Sequence, residues 1–278
     1  MEKLMFALKS SIRLAAVSSL SVAIAFSSAL AQPAPAFEPK VGQRGKDVVW
    51  VPTNQALVDK MLDMAKLTAN DTLIDLGSGD GRTVITAAKR GAIAKGIEYN
   101  PDMVELSKKN AEKEGVTAKA TFEKADLFET DFSKATVITM FLLPNINLKL
   151  RPKLLDMKPG TRVVSNSFDL GEWTADQTES VSEECTSHCT AYFWIVPAKV
   201  EGIWQTPQGQ LKLEQKYQVV SGTLTQGNVV APVTNGKLAG NEIAFTAAGT
   251  RYTGNVSGTT ITGKSNAGGK EADWKATR

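Results

Sequence analysis

The sequence predicts an α/β chain in which a mostly parallel sheet ends in an antiparallel hairpin and is followed by a small antiparallel β domain. Three observations predict it. From Asp47 onward, apolar runs of strand length alternate with segments whose apolar residues recur at helical spacing, the pattern of a parallel sheet covered on both faces. TESVSE (178–183) and AYFWIVPA (191–198) then flank a short tip with no helix between them, which reads as a terminal hairpin. After Pro197 the composition changes, and residues 199–278 hold 12 of the 22 glycines without helical periodicity.

Each element has its own signal. Thr53 is positioned to cap a helix carrying Leu57, Met61, Met64 and Ala65, which feeds a strand at 72–76. A second helix from Thr83 to Arg90 leads to a strand ending at Glu98. Pro101, at a favoured first helical position, opens a third helix with Met103, Leu106 and Ala111 toward Glu114. Strands follow at 120–122 and 136–140, then a helix from about Asn145 to Leu155, and the Lys158-Pro159-Gly160 turn opens a strand over 161–168. Beyond residue 199, segments such as KLEQKYQVV, NEIAF and RYTGNVSG alternate apolar and polar side chains between glycine turns, so a meander is expected, either a curled sheet or a partial barrel.

With 278 residues and 42% hydrophobic content, the chain suits one medium domain and a smaller one. The divisions read as a leader over 1–31, a Pro/Gly-rich linker over 32–45, the α/β domain over 46–198 and the glycine-rich β domain over 199–278. The leader combines a basic start, MEKLMFALKSSIR, an apolar stretch and a small-x-small ending at Ala29-Leu30-Ala31. It reads as a secretory signal cleaved after Ala31, delivering the chain to the periplasm with no stable transmembrane segment. The alternative is an uncleaved anchor in the inner membrane, because Leu14 to Ala31 is almost long enough to span it.

Removing the leader takes away Lys3, Lys9, Arg13 and Glu2 and lowers the net charge from +3 to +1, which excludes a general nucleic-acid binder. The remainder is asymmetric, with the β domain at +4 and residues 32–198 at −3. Cys185 and Cys189 enclose the chain's one histidine, His188. In an exported protein this pair reads most simply as a disulfide at the hairpin tip; free thiols are the alternative, and a metal site, with three ligands at best, is not expected.

The functional signal is DLGSGDGRT, residues 75–83, directly after an apolar strand. Its glycines at 77, 79 and 81 give G-x-G-x-G, which matches neither the dinucleotide fingerprint nor a P-loop, where Lys and Ser/Thr would follow the last glycine. The carboxylates of Asp75, Asp80, Glu98 and Asp126 fall near predicted strand ends, the place where open parallel sheets bind ligands. Such a ring repels pyrophosphate and attracts a cation. S-adenosylmethionine, with a sulfonium, an amine and a ribose, suits it: Glu98 would accept both ribose hydroxyls and Asp126 the adenine amine, with Leu127 or Phe128 against the ring.

LIDLGSGDGR, followed by GIEYN and KADLF, resembles the class I S-adenosylmethionine-dependent methyltransferases over about residues 46–198, which implies a Rossmann-like fold. Within that superfamily, VVWVPT, GAIAKGIEYNPDMVELSKKNA and ATVITMFLLPNINLKLRPKLLDMKPGTRVVSNSFDL are similar to the mitochondrial protein-lysine methyltransferases acting on the ATP synthase c-subunit and the adenine nucleotide translocase. The resemblance implies cofactor contacts from Asp75, Gly77, Gly79, Glu98 and Asp126, with Ser78, Asp80, Gly81, Tyr99 and Leu127 beside them. It places Pro52 and Thr53 over the methionine end and Phe141 to Asn145, Pro144 included, along the acceptor channel.

A protein substrate with an accessible lysine, associated with the cell envelope, is the expected partner. Trp50, Tyr99 and Phe141 would wall the channel, and Thr53 and Asn145 are the candidates for handling the acceptor, Asn145 by orienting an amine through its carbonyl. No general base presents itself, since His188 is expected at a hairpin tip away from the cofactor. The competing readings are a small-molecule methyltransferase and a non-catalytic exported binding protein that keeps the fold.

Overall fold

The computed structural model describes residues 37–278 apart from Glu183, so the leader lies outside the described residues. The α/β domain runs α1 (Gln55–Met64), β1 (Thr72–Leu76), α2 (Arg82–Lys89), β2 (Ile93–Glu98), α3 (Pro101–Lys113), β3 (Ala120–Lys124), β4 (Val137–Met140), α4 (Pro144–Leu155), β5 (Arg162–Asn166), β6 (Gln177–Ser180) and β7 (Thr190–Ile195). Its seven strands lie in the order β3-β2-β1-β4-β5-β7-β6, and β7 alone runs antiparallel to both neighbours. The order reverses between β1 and β4, which is where a doubly wound sheet opens its ligand crevice.

Alternation along the strands divides the core. Leu73 of β1 packs with Leu57, Val84 and Val104 of α1, α2 and α3, whereas Ile74 and Leu76 pack with Ile146, Leu150 and Leu154 of α4 on the other face. Helix starts follow local chemistry. Asn100 accepts from the Asp102 N–H and Pro101 takes the first position of α3. For α1 the cap is Asn54, one residue beyond the expected Thr53, and its side chain accepts from the Ala56 N–H at 2.8 Å. Helix α4 starts at Pro144, ahead of Asn145, with Leu143 as a cap that makes no side-chain bond.

The C-terminal domain is neither a curled sheet nor a partial barrel but a closed one. Strands β8 (Gly202–Thr206), β9 (Gly209–Lys216), β10 (Val219–Gln226), β11 (Val229–Ala239), β12 (Glu242–Ala247), β13 (Thr250–Ser257), β14 (Thr260–Ala267) and β15 (Lys270–Thr277) pair in sequence, and β15 closes on β8. Closure rests on little backbone pairing, Thr277 with Gln205. The Arg278 guanidinium reinforces it, donating to the Glu201 and Lys199 carbonyls at 2.8 and 3.0 Å and lying over the Trp204 ring. Inward residues, among them Trp204, Leu213, Phe245, Tyr252 and Trp274, fill the interior, as expected of an eight-stranded barrel.

The barrel meets the α/β domain where β5 begins. The Ala198 N–H donates to the Gly240 carbonyl, Tyr217 stacks on Trp173, and Lys237 pairs with Asp176. The strand ends that carry the crevice are at the opposite end of the sheet. No helix among the described residues is long and apolar enough to cross a membrane.

Candidate active site

The turn after β1 is tied to β2, because the Gly77 and Ser78 N–H groups both donate to the Ile97 carbonyl, at 2.8 and 3.0 Å. Gly77, Gly79 and Gly81 have φ of 80°, 55° and 84°, the left-handed region that strains any other residue. At Gly79 space is as restrictive as conformation, for a Cβ there would lie 2.7 Å from Trp50 Nε1. Gly81 serves a different purpose, opening α2 against Phe122 and Ser107 behind the turn.

One cleft with two compartments surrounds this turn. Trp50, Pro52, Thr53, Asp75, Ser78, Gly79, Asp80 and Phe141 line the first. Lys46, Tyr99, Asp126, Leu127, Leu142 and Ile146 line the second. Gly45, Val48, Gly77 and Glu98 border both, which puts the Glu98 carboxylate at the waist. Its oxygens accept from the Gly79 and Asn100 N–H groups, at 3.0 and 2.9 Å, fixing the carboxylate while leaving lone pairs for a ligand.

The four acids are not alike. Asp80 forms an ion pair with Arg82, whose other nitrogen donates to the Thr53 carbonyl at 2.8 Å and so ties the segment before α1 to the turn. Asp126 accepts from the Phe128 N–H and pairs with Lys46, which lies over the Tyr99 ring. The hydrogen bond from Lys46 holds the Asp126 carboxyl below the usual carboxylate range. The expected ring of free carboxylates is thus reduced to Glu98 and Asp75. Asp75 is buried, accepts from Thr139 Oγ1 at 2.7 Å, and has its pKa pushed up to about 7 by burial, which the Thr139 bond partly offsets and the Glu98 and Asp80 charges reinforce.

These residues fit an adenosyl cofactor. A carboxylate at the waist suits a ribose diol, an apolar compartment with Leu127 and Tyr99 suits a base, and the compartment holding Asp75 suits a cationic chain. The buried Ser78 hydroxyl has no partner among the described residues, and the cradle at Gly77 is one that a Cβ would fill, at 3.0 Å from Leu142.

Among the residues expected at the acceptor side, Trp50, Thr53 and Phe141 line the cleft. Pro144 and Asn145 do not: starting α4 one residue earlier leaves both exposed at its outer end, and the buried asparagine is Asn147. His188 sits in the hairpin tip, as expected, and lines neither compartment, but its ring lies 5.1 Å from that of Phe141 and 6.0 Å from that of Phe168, because the loop between β6 and β7 folds back over the end of β5. Cys185 and Cys189 are joined by a disulfide within that loop. Thr139, Lys46, Asn166 and Phe168 carry no motif that marks them in the sequence; SNSF at 165–168, polar residues ending an apolar strand, is the available signal for the last two.

Comparison with known proteins agrees with this geometry. Residues 75–177 match the family model of the ANTKMT methyltransferase domain. A protein-lysine N-methyltransferase of Saccharolobus islandicus is 43% identical over 152 residues, 54% of this chain and 94% of that protein. The chain belongs to this family of S-adenosylmethionine-dependent methyltransferases. Within the family, the human lysine N-methyltransferase of the ATP synthase c-subunit is 36% identical over 46% of this chain, which spans about half (54%) of the human protein's length. A crystal structure described as an RNA methyltransferase from Salinibacter ruber in complex with S-adenosyl-L-homocysteine shares 46% identity, covering 54% of this chain and 96% of that one at a TM-score of 0.51. The cofactor is S-adenosylmethionine.

Proposed function

We propose that this methyltransferase N-methylates the ε-amine of a lysine in a protein. The observation that carries the reading is the 43% identity spanning nearly the whole of a relative named for that activity. Bound S-adenosylmethionine supplies a sulfonium methyl group, to which the lysine Nζ lone pair forms a bond as the C–S bond breaks with its electron pair left on sulfur.

The chain's own part is alignment and neutralisation of charge. Glu98 would hold the ribose at the waist, and Asp75 would face the cationic end with a charge that is complete only above neutral pH. The Thr53 hydroxyl, accepting from Asn166 Nδ2 at 3.2 Å, keeps its proton free to donate into the cleft beside Phe141. An unperturbed lysine has a pKa of about 10.4, so the acceptor must lose a proton to water before it reaches the apolar rim.

The leader and the disulfide support export, and an envelope protein as the acceptor. A second reading, methylation of RNA, is favoured by the description of the Salinibacter ruber relative, but the net charge of −3 over residues 32–198 opposes it.

Incubation with tritiated S-adenosylmethionine, membrane-protein extract of the host and, separately, its total RNA tests both. Label released as methyllysine on acid hydrolysis is expected, whereas label in RNA alone would replace the proposal by the second reading. N-terminal sequencing of periplasmic and cytoplasmic fractions, expected to find a chain beginning at Gln32 in the periplasm, tests export.

A further inference from the structure

The loop closed by Cys185 and Cys189 is joined to the cleft by more than proximity. His188 Nδ1 is 3.1 Å from Ser167 Oγ, Ser167 donates to Asn166 Oδ1 at 2.8 Å, and Asn166, fully buried, donates to Thr53. A continuous hydrogen-bonded path thus runs from an exposed ring to a residue lining the cofactor compartment. A second link is aromatic: the rings of Phe141, Phe168 and His188, from three separate segments, lie within 5.1 to 6.3 Å of one another, and Phe141 itself lines the cleft.

The loop is held in place from both sides. Asn54, capping α1 next to Thr53, donates to the Glu184 carbonyl, and the Ser167 N–H donates to the Thr190 carbonyl at 2.7 Å. Ser167, Glu184 and His188 all have φ between 53° and 60°, a conformation that non-glycine residues keep only where surrounding structure enforces it. The five-residue disulfide ring encloses His188, while the bonds to the Glu184 carbonyl and from the Ser167 N–H hold the other two, and together they set the imidazole in place.

We infer that the Cys185–Cys189 loop is the acceptor-side wall of the active site and that it holds His188, with Phe141 and Phe168, as a three-ring surface along which the substrate lysine enters. The inference rests on the lysine reading above. A lysine stem is apolar and its head cationic, and ring faces accommodate both. His188 is on this account a positioning residue, whose contribution lies in acceptor binding and depends on the disulfide.

The test compares the full chain with the variants His188→Ala, His188→Phe and Cys185→Ser/Cys189→Ser, and with the wild type under reductant, using as acceptor the membrane protein that the wild type labels. His188→Ala is expected to raise the acceptor KM about five- to tenfold with cofactor Kd unchanged, and His188→Phe to restore it to within about twofold. Reduction or the double serine variant is expected to raise KM in the same direction. An unchanged KM in His188→Ala, a His188→Phe as poor as alanine, an unchanged KM on opening the disulfide, or an equal loss of cofactor binding would each overturn the inference. A wild type that binds cofactor but labels no lysine overturns the lysine reading, and this inference falls with it; lysine transfer indifferent to residue 188 overturns the inference alone.

Discussion

The two sides of the cleft are built by different means. On the cofactor side, Asp75, Gly77, Gly79 and Glu98 come from one β-turn-α-β unit, Thr72–Glu98, and the features that suit the ligand are largely backbone: left-handed glycines and N–H groups gathered by Glu98, beside a buried carboxylate. On the side proposed for the acceptor, Thr53, Phe141, Asn166, Phe168 and His188 come from four distant segments and meet through their side chains. A local backbone device tolerates almost no substitution at its glycines but much around them. A wall assembled at long range can change one ring at a time, which suits a scaffold that keeps its reagent while its acceptor varies.

The sharpest way to break this contrast is Gly79→Val. A branched side chain at φ 55°, where even a Cβ lies 2.7 Å from Trp50, must displace the indole or the turn. Cofactor affinity is expected to fall by at least about 100-fold, measured by calorimetric titration, with the fold retained by circular dichroism; binding within tenfold of wild type would show that the turn is softer than its geometry suggests.

Glu98→Ala comes next. It removes the carboxylate proposed to accept from the ribose and strips the Gly79 and Asn100 N–H groups of their partner. The expected loss of cofactor affinity is about 2–3 kcal/mol, roughly 30- to 150-fold, and an isosteric Glu98→Gln should lose less.

Asp75 connects the site to stability. Its folded pKa of about 7 is raised above the unfolded value of about 3.9, so the folded state prefers the protonated form. The corresponding stability is present in full below pH ~4 and is lost as pH rises through about 7. Asp75→Asn should therefore match the wild type in urea unfolding near pH 4 and exceed it at pH 8 by on the order of 3 kcal/mol. Its cofactor affinity at pH 8 should fall about tenfold. Equal stability at both pH values would show that Asp75 is not held against its charge.

The smallest effect concerns Lys46, which pairs with Asp126, the carboxylate proposed to face the adenine amine. Lys46→Ala is expected to tighten cofactor binding by up to about threefold; weaker binding would mean that Lys46 helps to hold the base.

The same contrast explains what was legible in the sequence. The strand-turn-helix-strand unit around Gly77 could be read because its ligand contacts follow from glycine spacing and a carboxylate 21 residues after Gly77. The alternation of strands and helices likewise gave the sheet and its terminal hairpin. The partners that neutralise Asp80 and Asp126 differ in legibility: Arg82 stands only two residues from its acid but reads first as a departure from the dinucleotide fingerprint, whereas Lys46 is one charge beside a linker, 80 residues from Asp126. The contact of His188 with Phe141 and Phe168 is not legible either, because a hairpin tip carries no sequence signal that it bends over the end of β5. Asn145 falls on the exposed side of the first turn of α4, and nothing in the sequence distinguishes it from the buried Asn147. Barrel closure depends on the Arg278 contacts with Glu201 and Lys199, between the two ends of one domain, and no strand pattern encodes that.

Calorimetric titration with S-adenosylmethionine of the wild type, Glu98→Ala and His188→Ala, side by side, tests most directly the claim that the cleft has a cofactor side and a separate acceptor side. The account predicts binding in the micromolar range by the wild type, the same affinity in His188→Ala and a loss of roughly 30-fold or more in Glu98→Ala. A wild type that does not bind, or a His188→Ala that loses as much as Glu98→Ala, would contradict it.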